Sequence, residues 1–143
     1  MMGYDRKYLL WAFSYLIFGM CLGIFMAASH NHAQHPTHAH INLLGFVVSF
    51  IYGATHKLWL AGKIPGLAKI QFILHHASAV TIFACLLLLY GDVVPEAKLD
   101  PILAIASLNI LVAALMMFIM VYKAHPIKES LINPTIAVED VKP

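Results

Sequence analysis

Charge is scarce in this chain: only 11% of its 143 residues are Asp, Glu, Lys or Arg, too few to solvate the surface of an ordinary soluble domain. Cysteine is nearly absent. Cys21 and Cys85 both fall inside long apolar runs, so they read as buried small thiols rather than a disulfide framework. There is no glycine-rich phosphate loop, no nucleophile–base pair and no pair of catalytic carboxylates, and Asp92, Glu96 and Asp100 read as a solvated loop. A net charge of +2 spread over several flanks offers no basic patch for nucleic acid. Side chains alone therefore assign no enzymatic reaction to this sequence.

What is abundant is hydrophobicity, at 61% of residues, and histidine, with nine copies. Four apolar runs, approximately 8–29, 38–60, 70–90 and 101–122, are each long enough to cross about 30 Å of hydrocarbon at about 1.5 Å per residue. Breaker residues separate them: His35-Pro36-Thr37, then Gly62 with Pro65-Gly66, then Gly91 through Pro95. The expected fold is all-α, an integral membrane four-helix antiparallel bundle over 1–122 in contact with the lipid bilayer, with a tail over 123–143 outside it. The first run lacks a small-residue cleavage site and reads as a retained helix. Eight of the nine Lys and Arg residues flank the N-terminus, the second connection and the C-terminus, and Lys98 alone falls elsewhere. The positive-inside rule then places both termini in the cytoplasm. The first and third connections face outward, which in a bacterial inner membrane is the periplasmic side.

Polar and small residues mark the faces that look inward. On the second run His38, Asn42, Gly45, Ser49, Tyr52 and His56 follow at steps of four and three, one stripe on an otherwise aliphatic helix. On the first, Gly19, Gly23 and Ala27 form a small-residue seam for close helix packing. On the third, His75 shares a face with Ser78, Ile82 and Cys85 and is expected to point inward, ahead of His76 on the face of Ala79 and Phe83. The fourth offers Asn109 near mid-membrane, and Met116, Met117 and Met120 as core filler.

The histidines form two groups. The outer one reads His30-Asn31-His32-Ala33-Gln34-His35-Pro36-Thr37-His38-Ala39-His40 and spans the end of the first run and the start of the second. Neutral imidazole ligates zinc, copper and haem iron, so His30, His32, His38 and His40 are candidate metal ligands, although their spacing matches no tetrahedral zinc signature. The inner group is His56 with His75 and His76, each four to five residues inside its run and thus at similar depth. His38 and His56 are 18 residues apart, about 27 Å along a helix, so the two groups cannot share one iron.

The run His38-Ala39-His40-Ile41-Asn42-Leu43-Leu44-Gly45-Phe46, opening a helix that ends with Tyr52-Gly53 and His56, resembles the second helix of subunit I in the haem–copper oxidase superfamily, nitric oxide reductases included. It is more similar still to small four-helix proteins related to that subunit. The resemblance implies a histidine at the outer start of this helix, His38 or His40, as a ligand of low-spin haem. It covers helices one to three, whereas a full oxidase subunit has about twelve helices and takes its haem–copper site from later ones. No complete oxidase site is therefore implied.

Three functions follow. The first is a haem b-binding protein of electron transfer, sensing or respiratory-enzyme assembly, with His38, His40, His56 and His75 as candidate cofactor ligands. The second is a copper- or zinc-binding protein that uses the outer segment and passes the ion inward by Met26, Asn42 or Cys21. The third is a structural accessory subunit, partnered by other subunits of a respiratory complex or by further copies of itself.

Overall fold

The computed structural model describes residues 3–60 and 64–124. Among them there are four long helices and no strand: α1 (Tyr4–Ser29), α2 (His35–Leu60), α3 (Pro65–Tyr90) and α4 (Glu96–Lys123). All four are long and apolar enough to span a membrane, so the chain has the features of an integral membrane protein in contact with lipid. The expected tail beyond Ala124, including His125 and Pro126, lies outside the described residues.

All four helices begin earlier than hydropathy predicts, and for three of them proline is the common reason. Pro36 and Pro65 occupy the first turns of α2 and α3, where the missing N–H costs nothing and the fixed φ suits a helix. Pro95 caps α4, and Glu96 in its first turn favours the positive end of the helix dipole. Polar opening turns are invisible to a hydropathy window. The histidine-rich connection is accordingly short. Ser29 ends α1, His30 closes it in the left-handed conformation at φ 53°, and helix resumes at His35.

Helix α3 is the most enclosed of the four, buried along two adjacent stripes. One, through Gln71, His75, Ser78, Ile82 and Cys85, and the other, through His76, Ala79, Phe83 and Leu86, meet different neighbours. Helix α4 is buried along one seam only: Leu99, Ala106, Ala113 and Met120 repeat at seven residues, with Leu103, Ile110 and Met117 half-way between or nearly so. This is the heptad pattern of a helix with one protein neighbour, and that neighbour is mainly α3. Met117 and Met120 fill core, as expected. Cys21, expected to be buried, is exposed on the outer face of α1, whereas Cys85 is buried. The helical phase explains the difference, because Gly19, Leu22 and Gly23 take the inner face and turn residue 21 away.

Contacts between helices run in an ordered series. Gly53 lies against Tyr8, Gly45 against Tyr15, Gly19 against Asn42 and Gly23 against His38, all between α1 and α2. The seam expected on α1 thus works at Gly19 and Gly23, but it ends there: Ala27 is exposed and Met26 is buried instead. Between α1 and α3, Tyr8 bonds Gln71 and Tyr15 bonds His76. Gln34, in the first connection, donates to the Leu87 carbonyl at 3.1 Å and accepts from Thr37, which fastens that connection to the end of α3.

Helix α2 is not regular. Residues Ile41–Val47 and His56–Leu60 are π-helical, with wider turns than the α-helix between them. The buried positions of the outer half therefore fall at steps of four, Thr37, Ile41, Gly45 and Ser49. The expected stripe is followed from Gly45 through Ser49 and Tyr52 to His56, all buried, but its outer two members, His38 and Asn42, are half-buried. Thr37 and Ile41 hold the interior in their place.

Candidate functional site

The two histidine groups meet different fates. In the outer group His30, His32, His35 and His40 are exposed, and only His38 is half-buried. Among the described residues, no three His, Cys, Asp or Glu side chains come together in a group able to hold a metal ion.

His38 and His40 nevertheless share a feature suited to ligation. His40 donates its Nδ1–H to the Pro36 carbonyl at 2.8 Å, one turn back on its own helix. His38 donates its Nδ1–H to the Gly19 carbonyl of α1 at 2.9 Å. A carbonyl can only accept, so each ring carries its proton on Nδ1 and keeps the Nε2 lone pair in its neutral form. A backbone carbonyl on the far nitrogen is the usual way of fixing an imidazole that ligates a metal. The rings differ in access. His38 lies against Gly23, and Asn42 of its own helix is in reach of its ring nitrogens at 3.4 Å. His40 lines a largely apolar groove of about 350 Å³ together with Leu44 of α2, Ile82 and Leu86 of α3, and Leu103, Ser107 and Ile110 of α4.

The inner group is assembled and closed. His56, His75 and His76 are 5%, 0% and 4% exposed, all packed around Tyr8, which is itself fully buried. The Tyr8 ring stacks on His56 at 5.5 Å between centroids and lies 5.1 Å from His76 and 6.2 Å from His75. Each face of α3 supplies one imidazole. His75 turns to α2, where its Nε2 shares a 3.1 Å hydrogen bond with Ser49 and its ring meets Tyr52 edge-on. His76 turns to α1, where its Nδ1 shares a 3.1 Å bond with the Tyr15 hydroxyl and its ring stacks on Trp11. The sequence favoured His75 over His76 as the inward residue. Both are buried, because α3 has a protein neighbour on each of the two faces.

Three ring nitrogens in this group, His56 Nε2, His75 Nδ1 and His76 Nε2, are buried without a hydrogen-bond partner among the described residues. Leaving such atoms unpaired is costly, roughly 1–3 kcal/mol each. Space for a flat macrocycle is another matter, since Tyr8, Tyr52 and Phe72 fill the volume among the three imidazoles.

Tyr8, Tyr15 and Gln71 were not among the residues singled out by sequence, yet they hold this group together. A signal did exist: Tyr8, Ala12, Tyr15 and Gly19 recur at steps of four, three and four and form the buried stripe of α1. Tyrosine in an apolar helix reads as one more hydrophobe until its hydroxyl finds a partner. No protein-family model, curated protein or solved structure matches this chain, so its function is read from these residues themselves.

Proposed function

We propose that this chain is a haem b-binding membrane protein related to the small relatives of haem–copper oxidase subunit I, with His40 as the principal ligand and His38 beside it. The observation that carries the reading is the His40 ring, which lines an apolar groove and has its Nδ1–H held by the Pro36 carbonyl, so that the lone pair is on Nε2. An apolar wall with few polar groups suits a porphyrin, and a fixed neutral imidazole suits its iron. Bound there, haem would supply one-electron redox chemistry for electron transfer, sensing or enzyme assembly. The inner imidazoles, His56 and His75, have the donor chemistry but are packed around an aromatic ring rather than around open space. Their place in this reading is to fasten α1, α2 and α3.

The same reading orients the bundle as antiparallel, with both termini in the cytoplasm of a bacterium and the outer histidines on the periplasmic side of the inner membrane. Two things support it: the ordered contacts of α1 with α2, and the proximity of Ala33 in the first connection to Leu89, Asp92 and Glu96 around the third. Positive flanks at the other end agree.

Optical spectroscopy of the purified full chain tests the haem assignment. Reduced-minus-oxidised bands of haem b are expected in the native protein, retained in His56→Ala and lost in His40→Ala, with His38→Ala weakened. A spectrum without haem after reconstitution, or full retention of haem in His40→Ala, would overturn the assignment.

A further inference from the structure

The resemblance to oxidase subunit I implies low-spin haem, and low-spin iron takes a strong ligand on each side of the macrocycle. The groove that His40 lines supplies one such ligand. Its other lining residues are Leu44, Ile82, Leu86, Leu103 and Ile110, which are all aliphatic, and Ser107. No second histidine, and no methionine, cysteine or tyrosine, is among them. Cys85 belongs to the same stripe of α3 as Ile82, but it is buried and does not line the groove.

The other imidazoles are directed elsewhere. His38 is two residues from His40, about 200° around the helix, and its ring is bonded to the Gly19 carbonyl of α1 at 2.9 Å, whereas the groove is walled by α3 and α4. His75 is bonded to Ser49, which lies nine residues, about 13 Å, further along α2 than His40. His30, His32 and His35 are exposed and line no part of the groove. Ser107 has a polar atom to spare. Ser14, Ser29, Thr55 and Thr81 each return their hydroxyl to a backbone carbonyl one turn back, at 2.8–2.9 Å, and among the described residues Ser107 does not.

We infer that haem held at His40 has one protein ligand and that its other axial position takes a neutral diatomic gas, with the Ser107 hydroxyl as the hydrogen-bond donor beside it. The inference rests on the haem reading above and narrows it from electron transfer or assembly to gas sensing. Polarity, donors and access around the iron decide between gas binding and electron transfer. This groove is aliphatic and offers one hydroxyl. An anionic ligand would bring an unpaired charge into hydrocarbon, because no lysine or arginine lines the groove. A small uncharged gas needs no such partner and reaches the groove through lipid. Carbon monoxide, the probe for this class, gives a lone pair to ferrous iron, so nothing is oxidised or reduced when it binds.

The full chain, purified in detergent, loaded with haem and reduced with dithionite, is titrated with carbon monoxide. The reduced spectrum is expected to be that of five-coordinate, high-spin haem b, and one carbon monoxide per haem should shift its Soret band. In the infrared, Ser107→Ala should raise the C–O stretching frequency, because the bound gas loses its donor; an unchanged frequency would remove Ser107 from the site. Haem b that is low-spin and unmoved by carbon monoxide would overturn the inference and leave the haem reading standing. Within that outcome, a spectrum turned high-spin by His38→Ala, by Cys85→Ser or by dilution of the protein would name the second ligand as His38, as Cys85 or as an imidazole of a second copy. A protein that takes up no haem would overturn both. The titration itself uses the wild-type chain, so its result does not depend on whether any variant folds.

Discussion

Replacing Tyr8 by alanine is expected to destabilise the bundle by roughly 3–5 kcal/mol, the range for deleting a large buried aromatic side chain. Tyr8 is fully buried and packs against two other spans at once: Tyr52 and His56 on α2, and Phe72, His75 and His76 on α3. Its hydroxyl bonds the side-chain carbonyl of Gln71, whose amide reaches the Ala113 carbonyl of α4 at 3.4 Å. The chain of contacts from α1 to α4 thus passes through this one ring and its hydroxyl. Tyr8→Phe separates the two contributions. It keeps the ring and strands the Gln71 carbonyl, for a smaller loss of about 1–3 kcal/mol. Thermal unfolding in detergent, followed by circular dichroism, should rank the proteins wild type, Tyr8→Phe, Tyr8→Ala. Equal stability of the two variants would show that the ring contributes nothing beyond its hydroxyl.

Valine at Gly45 should be nearly as damaging, by the opposite means. A Cβ built at Gly45 falls 2.8 Å from Cγ and 3.0 Å from Cβ of Tyr15, far inside contact distance. Tyr15 cannot swing aside freely, because its hydroxyl is tied to His76 and its ring packs edge-on against Phe83. The two helices must separate, at a cost of about 1–3 kcal/mol or more. Gly66 is the control. Nothing lies within 4 Å of a Cβ placed there, and alanine in a helix is favoured over glycine by about 0.5–1 kcal/mol. Gly45→Val should lower the unfolding temperature while Gly66→Ala leaves it unchanged or raises it. Tolerance of Gly45→Val would mean that α1 and α2 do not approach as closely as their contacts indicate.

These two sites also mark how far the sequence could be read. Four spans were legible because about 20 consecutive apolar residues have few other uses, and Gly45, Ser49, Tyr52 and His56 were legible as an interior face because polar atoms shun lipid. The helix starts were less visible, since Pro36, Pro65 and Glu96 begin helices in polar turns. His76 and Tyr8 were hidden for a different reason. Which face of α3 is covered depends on how many helices surround it, and that number belongs to the assembled bundle and not to any one segment. Similarly, the eleven-residue outer cluster has the composition of a metal site, but the turn at His30 and the start of α2 at His35 disperse its rings. Composition cannot reveal direction.

The salt bridge between Lys57 and Asp5, at 4.0 Å with Lys57 75% exposed, adds little to any of this.

The π-helical stretch at Ile41–Val47 makes the two ends of α2 rotationally interdependent. A wide turn takes up more residues per revolution than an α-turn, so this stretch acts as a phase adjuster between His38 and His40 on one side and Ser49, Tyr52 and His56 on the other. Losing one residue there would turn the outer imidazoles by about 100° against the inner ones, the angle of one helical step. His38 would leave the Gly19 carbonyl and His40 its groove, while every contact around Tyr8 stayed in place. The length of this short segment, as much as the identity of its residues, is therefore part of what aims the outer histidines.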